Sequence, residues 1–140
     1  MLETDDVTSA VVLYADDTEA QRYALSRVLR NAGFQVREAV TGRQALEMAA
    51  ALPDLILLDV NLPDINGIEV SSRIGHAIPG LKILFATQSN HPDVARAALS
   101  NGAPGCLLKV DAAAELLPAI EMVLRGERFI SKGIKARALR

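Results

Sequence analysis

The sequence predicts an α/β fold: a doubly wound, five-stranded parallel sheet covered on both faces by five helices. Three observations carry this. Leu55-Ile56-Leu57-Leu58 is an uninterrupted apolar run that ends in Asp59, the signature of a strand buried on both faces. Shorter apolar runs recur along the chain, and each is followed by a stretch of helical periodicity, which argues parallel strands joined by crossover helices. Half of the residues are hydrophobic but only 4% are aromatic, so the core must be built from Leu, Ile, Val and Ala. Crossovers of this kind are right-handed by chirality.

The elements follow in order. Residues 1–9 form a leader, acidic and polar from Met1 to Thr8. Ala10 to Tyr14 is the first strand and ends in Asp16-Asp17. Thr18, with Gln21 three residues on, has the pattern of a capping box for a helix running to about Asn31. Ala24, Leu25, Val28 and Leu29 give that helix an apolar face, and Gly33 suits a left-handed stop. Phe34 to Glu38 is the second strand. Thr41 caps a second helix carrying Ala45, Leu46, Met48 and Ala49 inward, which Pro53-Asp54 breaks. The strand Leu55 to Leu58 comes next, then a short helix from Ile65 to about Ile74. Leu81 to Ala86 is the fourth strand, ending at Thr87. Pro92-Asp93 opens a fourth helix, stopped by Asn101-Gly102. Gly105 to Leu108 is the fifth strand, ending at Lys109. Asp111 caps a last helix to about Arg125, where Pro118 should distort the backbone. The folded domain thus spans residues 10–126, and residues 127–140 form a basic tail or linker.

At 140 residues the chain is one domain, large enough for a core without disulfides or a structural metal. A single cysteine, Cys106, excludes an internal disulfide and a cysteine-based zinc site. The formal net charge of −2 offers no nucleic-acid surface. The leader is wrong for a signal peptide and no apolar run spans a bilayer, so a cytoplasmic protein with no membrane contact is expected. Neither a P-loop nor a G-x-G-x-x-G pattern is present, which argues against nucleotide binding.

A parallel sheet brings the carboxyl ends of its strands to one edge, where ligands collect. Here those ends supply Asp16, Asp17, Asp59, Thr87 and Lys109; Glu38 and Ala39 end the second strand without a clear role. Three carboxylates at one place repel, and a divalent cation removes the conflict. Oxygen ligands without Cys or His point to magnesium or calcium, with Mg2+ the usual partner of phosphate chemistry. A hydroxyl and an ammonium opposite the metal suit phosphoryl oxygens. The pocket therefore suits phosphoryl transfer, with a carboxylate available as nucleophile.

Taken together, Asp16-Asp17, Asp59 with Pro63 and Gly67, Thr87, and Lys109 at the end of the stretch from Gly102 resemble the receiver domain of two-component response regulators, the CheY-like, flavodoxin-like fold. The resemblance runs from about Val11 to Arg125. It implies that Asp59 accepts a phosphoryl group from a histidine on a kinase or histidine phosphotransfer protein. Asp17 would bind Mg2+ directly, Asp16 through water, and Asn61 through its backbone carbonyl. Lys109 would pair with one phosphoryl oxygen and Thr87 would move to bond another. Self-association through the fourth helix, fifth strand and fifth helix is also implied, as is the absence of true turnover: a phosphorelay component, not an enzyme. Within the family the chain is similar both to receivers of LuxR-type regulators (Leu124 to Ser131) and to those of hybrid histidine kinases (Asp16 to Leu29).

Three positions depart from the family pattern. Cys106 stands where an aromatic ring is usual, and a thiol cannot fill that space. Val110 replaces a proline after the lysine; a trans peptide and a slightly displaced Lys109 are expected, since a non-proline cis bond costs ~3 kcal/mol. Gln88 replaces a small residue after Thr87 and could crowd the phosphoryl site. The departures lie on the output side and imply an atypical switch on an intact phosphorylation site. Two alternatives stand beside this: a phosphorylation-independent interaction module, and a magnesium-dependent aspartyl phosphatase. The second needs a carboxylate two residues after the nucleophile, where this chain has Asn61.

Overall fold

The computed structural model describes residues 9–100 and 102–138; the leader from Met1 to Thr8 and the stop at Asn101 lie outside them. The strands are β1 (Val11–Ala15), β2 (Gln35–Ala39), β3 (Leu55–Asp59), β4 (Lys82–Thr87), β5 (Gly105–Leu108) and β6 (Phe129–Ile130). The helices are α1 (Glu19–Asn31), α2 (Gly42–Ala49), α3 (Gly67–Ala77), α4 (Pro92–Leu99), α5 (Ala112–Leu124) and α6 (Lys132–Ala138), with a 3-10 turn over Lys109–Asp111. All pairings are parallel and the strand order is β2-β1-β3-β4-β5-β6. The alternation of side chains along each strand divides the core in two. Leu13, Ile56, Leu58, Phe85, Cys106 and Leu108 face α2, α3 and α4. Val12, Tyr14, Leu55, Leu57, Leu84 and Leu107 face α1 and α5.

The doubly wound parallel sheet is as predicted, but the described residues form six strands and six helices, not five of each. The additional pair lies in the stretch 127–140 read as a tail. A two-residue strand is too short to show any hydrophobic period, and what holds it is tertiary. Phe129 N–H donates to Pro104 O at 3.0 Å and Ser131 N–H to Cys106 O at 3.1 Å. The buried Ser131 hydroxyl accepts from Leu108 N–H at 2.7 Å, satisfying a donor at the end of β5. Ile134 on α6 then joins the core beneath α4.

Of the predicted helix caps, one forms and two do not. Thr41 Oγ1 accepts from Gln44 N–H at 3.1 Å, as its pattern predicts. The capping box at Thr18 does not form, since the Thr18 side chain caps nothing. The start of α1 is fixed instead by Asp16 Oδ1, which accepts from Thr18 N–H at 2.9 Å. Asp111 likewise stands at the start of α5 without a side-chain cap bond. Among the described residues no helix is long and apolar enough to cross a membrane.

Candidate functional site

The chain reverses its winding between β1 and β3, which lie side by side at the centre of the sheet. Their carboxyl ends face the crevice where ligands bind in sheets of this topology. β1 delivers Asp16 and Asp17 and β3 delivers Asp59; oxygens of the three lie within 4.8 Å of one another. Asp16 is fully buried and Asp59 nearly so, while Asp17 is exposed.

Lys109 reaches in from the end of β5. Its ammonium lies 2.9 Å from Asp16 Oδ2 and 3.0 Å from Asp59 Oδ2. The sequence reading expected a metal to reconcile the carboxylates; Lys109 already compensates one of the three charges. Three negative charges against one ammonium leave two, the charge of one divalent ion. Among the described residues, Asp59 Oδ1 accepts only Asn61 N–H, at 3.0 Å. Asp17 makes no hydrogen bond or ion pair among the described residues. This hard-oxygen set, with an open carboxylate, fits Mg2+.

Burial is the main force raising the Asp59 carboxyl above the ordinary carboxylate range; the Asn61 N–H and the Lys109 ammonium oppose it, and neighbouring Asp16 adds to it. Tyr14, the one aromatic in β1, donates its hydroxyl to Asp16 Oδ2 at 2.7 Å. Burial, then Asp16, pushes that phenol well up, so it remains a donor. A lone tyrosine inside an aliphatic strand was the available signal, since a buried phenol needs a partner. Glu38, without a role in the sequence reading, pairs with Arg22 at 3.1 Å and Arg30 at 3.0 Å. Arg22 also donates to Asp16 O at 2.8 Å, bracing the loop.

The turn after β3 is held from two sides. Asp64 accepts from Gly42 N–H at 2.7 Å and Arg43 N–H at 3.0 Å, at the start of α2. These bonds hold its carboxyl below the usual range, the Arg43 N–H most. Gly67 packs against the backbone of Asp59 itself.

Thr87 is buried one residue beyond Ala86, the register partner of Asp59. Its hydroxyl accepts from Ser89 N–H at 3.1 Å and touches neither Asp59 nor Lys109 through a hydrogen bond. The bonding continues outward: Ser89 Oγ accepts from His91 N–H at 3.1 Å, and His91 Nδ1 accepts from Asp93 N–H at 3.1 Å in the first turn of α4. Gln88 is exposed on this loop. Cys106 is fully buried, and burial pushes its thiol up to about 12, so it serves as a small core residue. No cis peptide occurs among the described residues, so Val110 follows Lys109 in trans, and Lys109 still reaches Asp59. Gln21 also reaches Lys109, at 2.6 Å. Gln21 thus serves Lys109 and not the capping box that its spacing from Thr18 predicts.

Residues 12–121 match the family model described as the response regulator receiver domain. The transcriptional activator protein ExaE of Pseudomonas putida is 36% identical over 124 residues, covering 86% of this chain and 58% of its own length. The nitrate/nitrite response regulator protein NarL of Escherichia coli is 34% identical over 128 residues, covering 89% of this chain and 59% of its own. The chain thus spans about three fifths of these relatives. Among solved structures, a LuxR-family two-component response regulator from Aurantimonas sp. superposes with a TM-score of 0.88 at 30% identity, covering 94% of this chain and 96% of that one. The response regulator domain of Thermotoga maritima CheB gives a TM-score of 0.76 at 26% identity, covering 84% and 97%.

Proposed function

Because the chain belongs to the response regulator receiver domain family, we propose that it accepts a phosphoryl group on Asp59 from a histidine of a kinase or phosphotransfer protein. The observation that carries this is the convergence of Asp16, Asp17 and Asp59 on one side of the Lys109 ammonium. An Asp59 carboxylate oxygen forms the new P–O bond as the P–N bond to the donor imidazole breaks. The imidazole nitrogen keeps the bonding pair and is protonated on leaving. Bound Mg2+ would supply charge neutralisation for the incoming phosphoryl oxygens; Asp17, Asp59 and the Asn61 carbonyl would hold it, with Asp16 acting through water. Lys109, already at Asp59, is placed to pass from the carboxylate to a phosphoryl oxygen. The chain relays a phosphoryl group and does not turn over as an enzyme. Its setting is cytoplasmic, and it contacts no nucleic acid or membrane itself.

The switch is atypical. Cys106 offers no ring to rotate, so output passes through the loop after β4. A hydroxyl can donate while it accepts, so Thr87 can bond a phosphoryl oxygen and carry Ser89 with it. His91 and the start of α4 follow through the bonds already described. This is a local charge event read by a movable segment.

Incubation with phosphoramidate and Mg2+ should add one phosphoryl group, about 80 Da by mass spectrometry. Asp59→Asn should accept none, and equal acceptance by that variant would sink the assignment. The metal is tested separately by melting. Mg2+ at about 20 times its Kd should stabilise the fold by about 1.8 kcal/mol. Asp17→Asn should lose most of that gain, because it removes the open carboxylate.

A further inference from the structure

We propose that Gln21 is a positioning residue for Lys109, giving the ammonium an acceptor outside the carboxylate cluster. The proposal rests on the reading of Asp59 as phosphoryl acceptor and extends it to a residue outside the strand-end set. An ammonium has three N–H donors. Here they meet three acceptors: Asp16 Oδ2 at 2.9 Å, Asp59 Oδ2 at 3.0 Å and Gln21 Oε1 at 2.6 Å. The Lys109 side chain is only 7% exposed, so these bonds lie mostly out of solvent.

The three acceptors differ in what the reaction does to them. Asp59 changes when it is phosphorylated, and Lys109 must then leave its oxygen for the phosphoryl group. Asp16 is shared with the Tyr14 hydroxyl and is to serve the metal. Gln21 alone stays the same throughout. It projects from the first turn of α1, whose start is fixed by the bond from Thr18 N–H to Asp16 Oδ1. Its amide oxygen is neutral, so it can orient the ammonium without cancelling the charge needed at the phosphoryl oxygens. The backbone enters a 3-10 segment at Lys109, and the next side chain, Val110, is 80% exposed.

The test uses Gln21→Met, which keeps length and helix propensity but removes the acceptor. With phosphoramidate at saturating Mg2+, the maximal phosphorylation rate should fall about tenfold, the cost of one lost charged hydrogen bond. The half-saturating phosphodonor concentration should change less than about twofold, as expected for a residue that orients Lys109 without touching the donor. The melting temperature should fall by about 4 °C, since the lost bond is part-buried and contributes about 1 kcal/mol to the fold. A second measurement needs no phosphorylation. In metal-free protein, the side-chain amide NMR signals of Gln21 should shift when Lys109 is replaced by methionine. Unmoved signals would overturn the anchor directly. A Gln21→Met rate within about twofold of the parent would overturn the positioning role and leave Asp59 as the acceptor. A parent protein that takes up no phosphoryl group would overturn the acceptor reading, and the positioning role with it.

Discussion

Replacing Gly67 with alanine should destabilise the fold by about 3 kcal/mol and lower its melting temperature by about 10 °C. A Cβ at this position would sit 2.2 Å from Asp59 O, 2.9 Å from Val60 Cα and 3.0 Å from Asp59 C. All three atoms are backbone, so no side-chain rotation relieves the contact. Relief requires α3 to move away from the end of β3. That motion would break the bond from Gly67 N–H to Val60 O, 2.8 Å long, and pull on the turn that carries Asn61. Phosphorylation of Asp59 should therefore slow as well. Gly75 is the internal control, because it lies in the same helix and an added Cβ meets nothing within 4 Å. Gly75→Ala should be neutral or stabilise by about 0.5–1 kcal/mol. Parallel melting curves of the two variants give the comparison. Equal effects would mean that the close approach at Asp59 is not what Gly67 serves.

Lys109→Met should have the second large effect. It leaves two buried carboxylates, Asp16 and Asp59, without their shared cation. Breaking a buried pair costs about 3 kcal/mol, partly relieved here by proton uptake. The sign of the pH dependence follows from Asp59, whose carboxyl already lies above 3.8 in the folded protein. Without Lys109 it rises further. Between the unfolded value and that raised value, the folded state holds more protons than the unfolded state, so stability falls as pH rises. The variant should thus regain stability on acidification, by at most ~1.4 kcal/mol per pH unit for one proton. Adding Asp59→Asn should restore most of the loss at neutral pH. Urea unfolding followed from about pH 4, near the unfolded carboxylate value, up to about pH 8 measures both effects. Phosphorylation of the single variant should slow about a hundredfold, as when one positioned charge donor is removed. A variant whose stability does not change with pH would contradict this electrostatic account.

These predictions draw on features that differ in how far the sequence disclosed them. The strand Leu55–Asp59 was legible because five consecutive buried positions leave a run that only a covered parallel strand explains. Asp16, Asp17, Asp59 and Lys109 were legible for a related reason: the topology sends every strand end to one edge, so position along the chain fixes position in space. Contacts made by long side chains across elements were not. Gln21 had a sufficient local explanation as a cap, and nothing near it in the sequence pointed to a lysine far down the chain. Asp64 drew no reading from the sequence, yet its carboxylate holds the start of α2. β6 escaped for want of length, since it is specified by Ser131 and Ile134, whose partners lie in β5 and the core.

The short β6 also bears on how the protein can be handled. Its neighbour β5 is four residues long, wholly buried, and carries Cys106, Leu107 and Leu108. Cut the chain after α5, and that strand would become a bare, greasy margin with its Leu108 amide unmatched. Such margins recruit strands from other molecules. A shortened version ending near Gly126 would therefore be prone to clumping through that margin. With the last segment in place, an incoming molecule on this flank meets β6 and α6 instead.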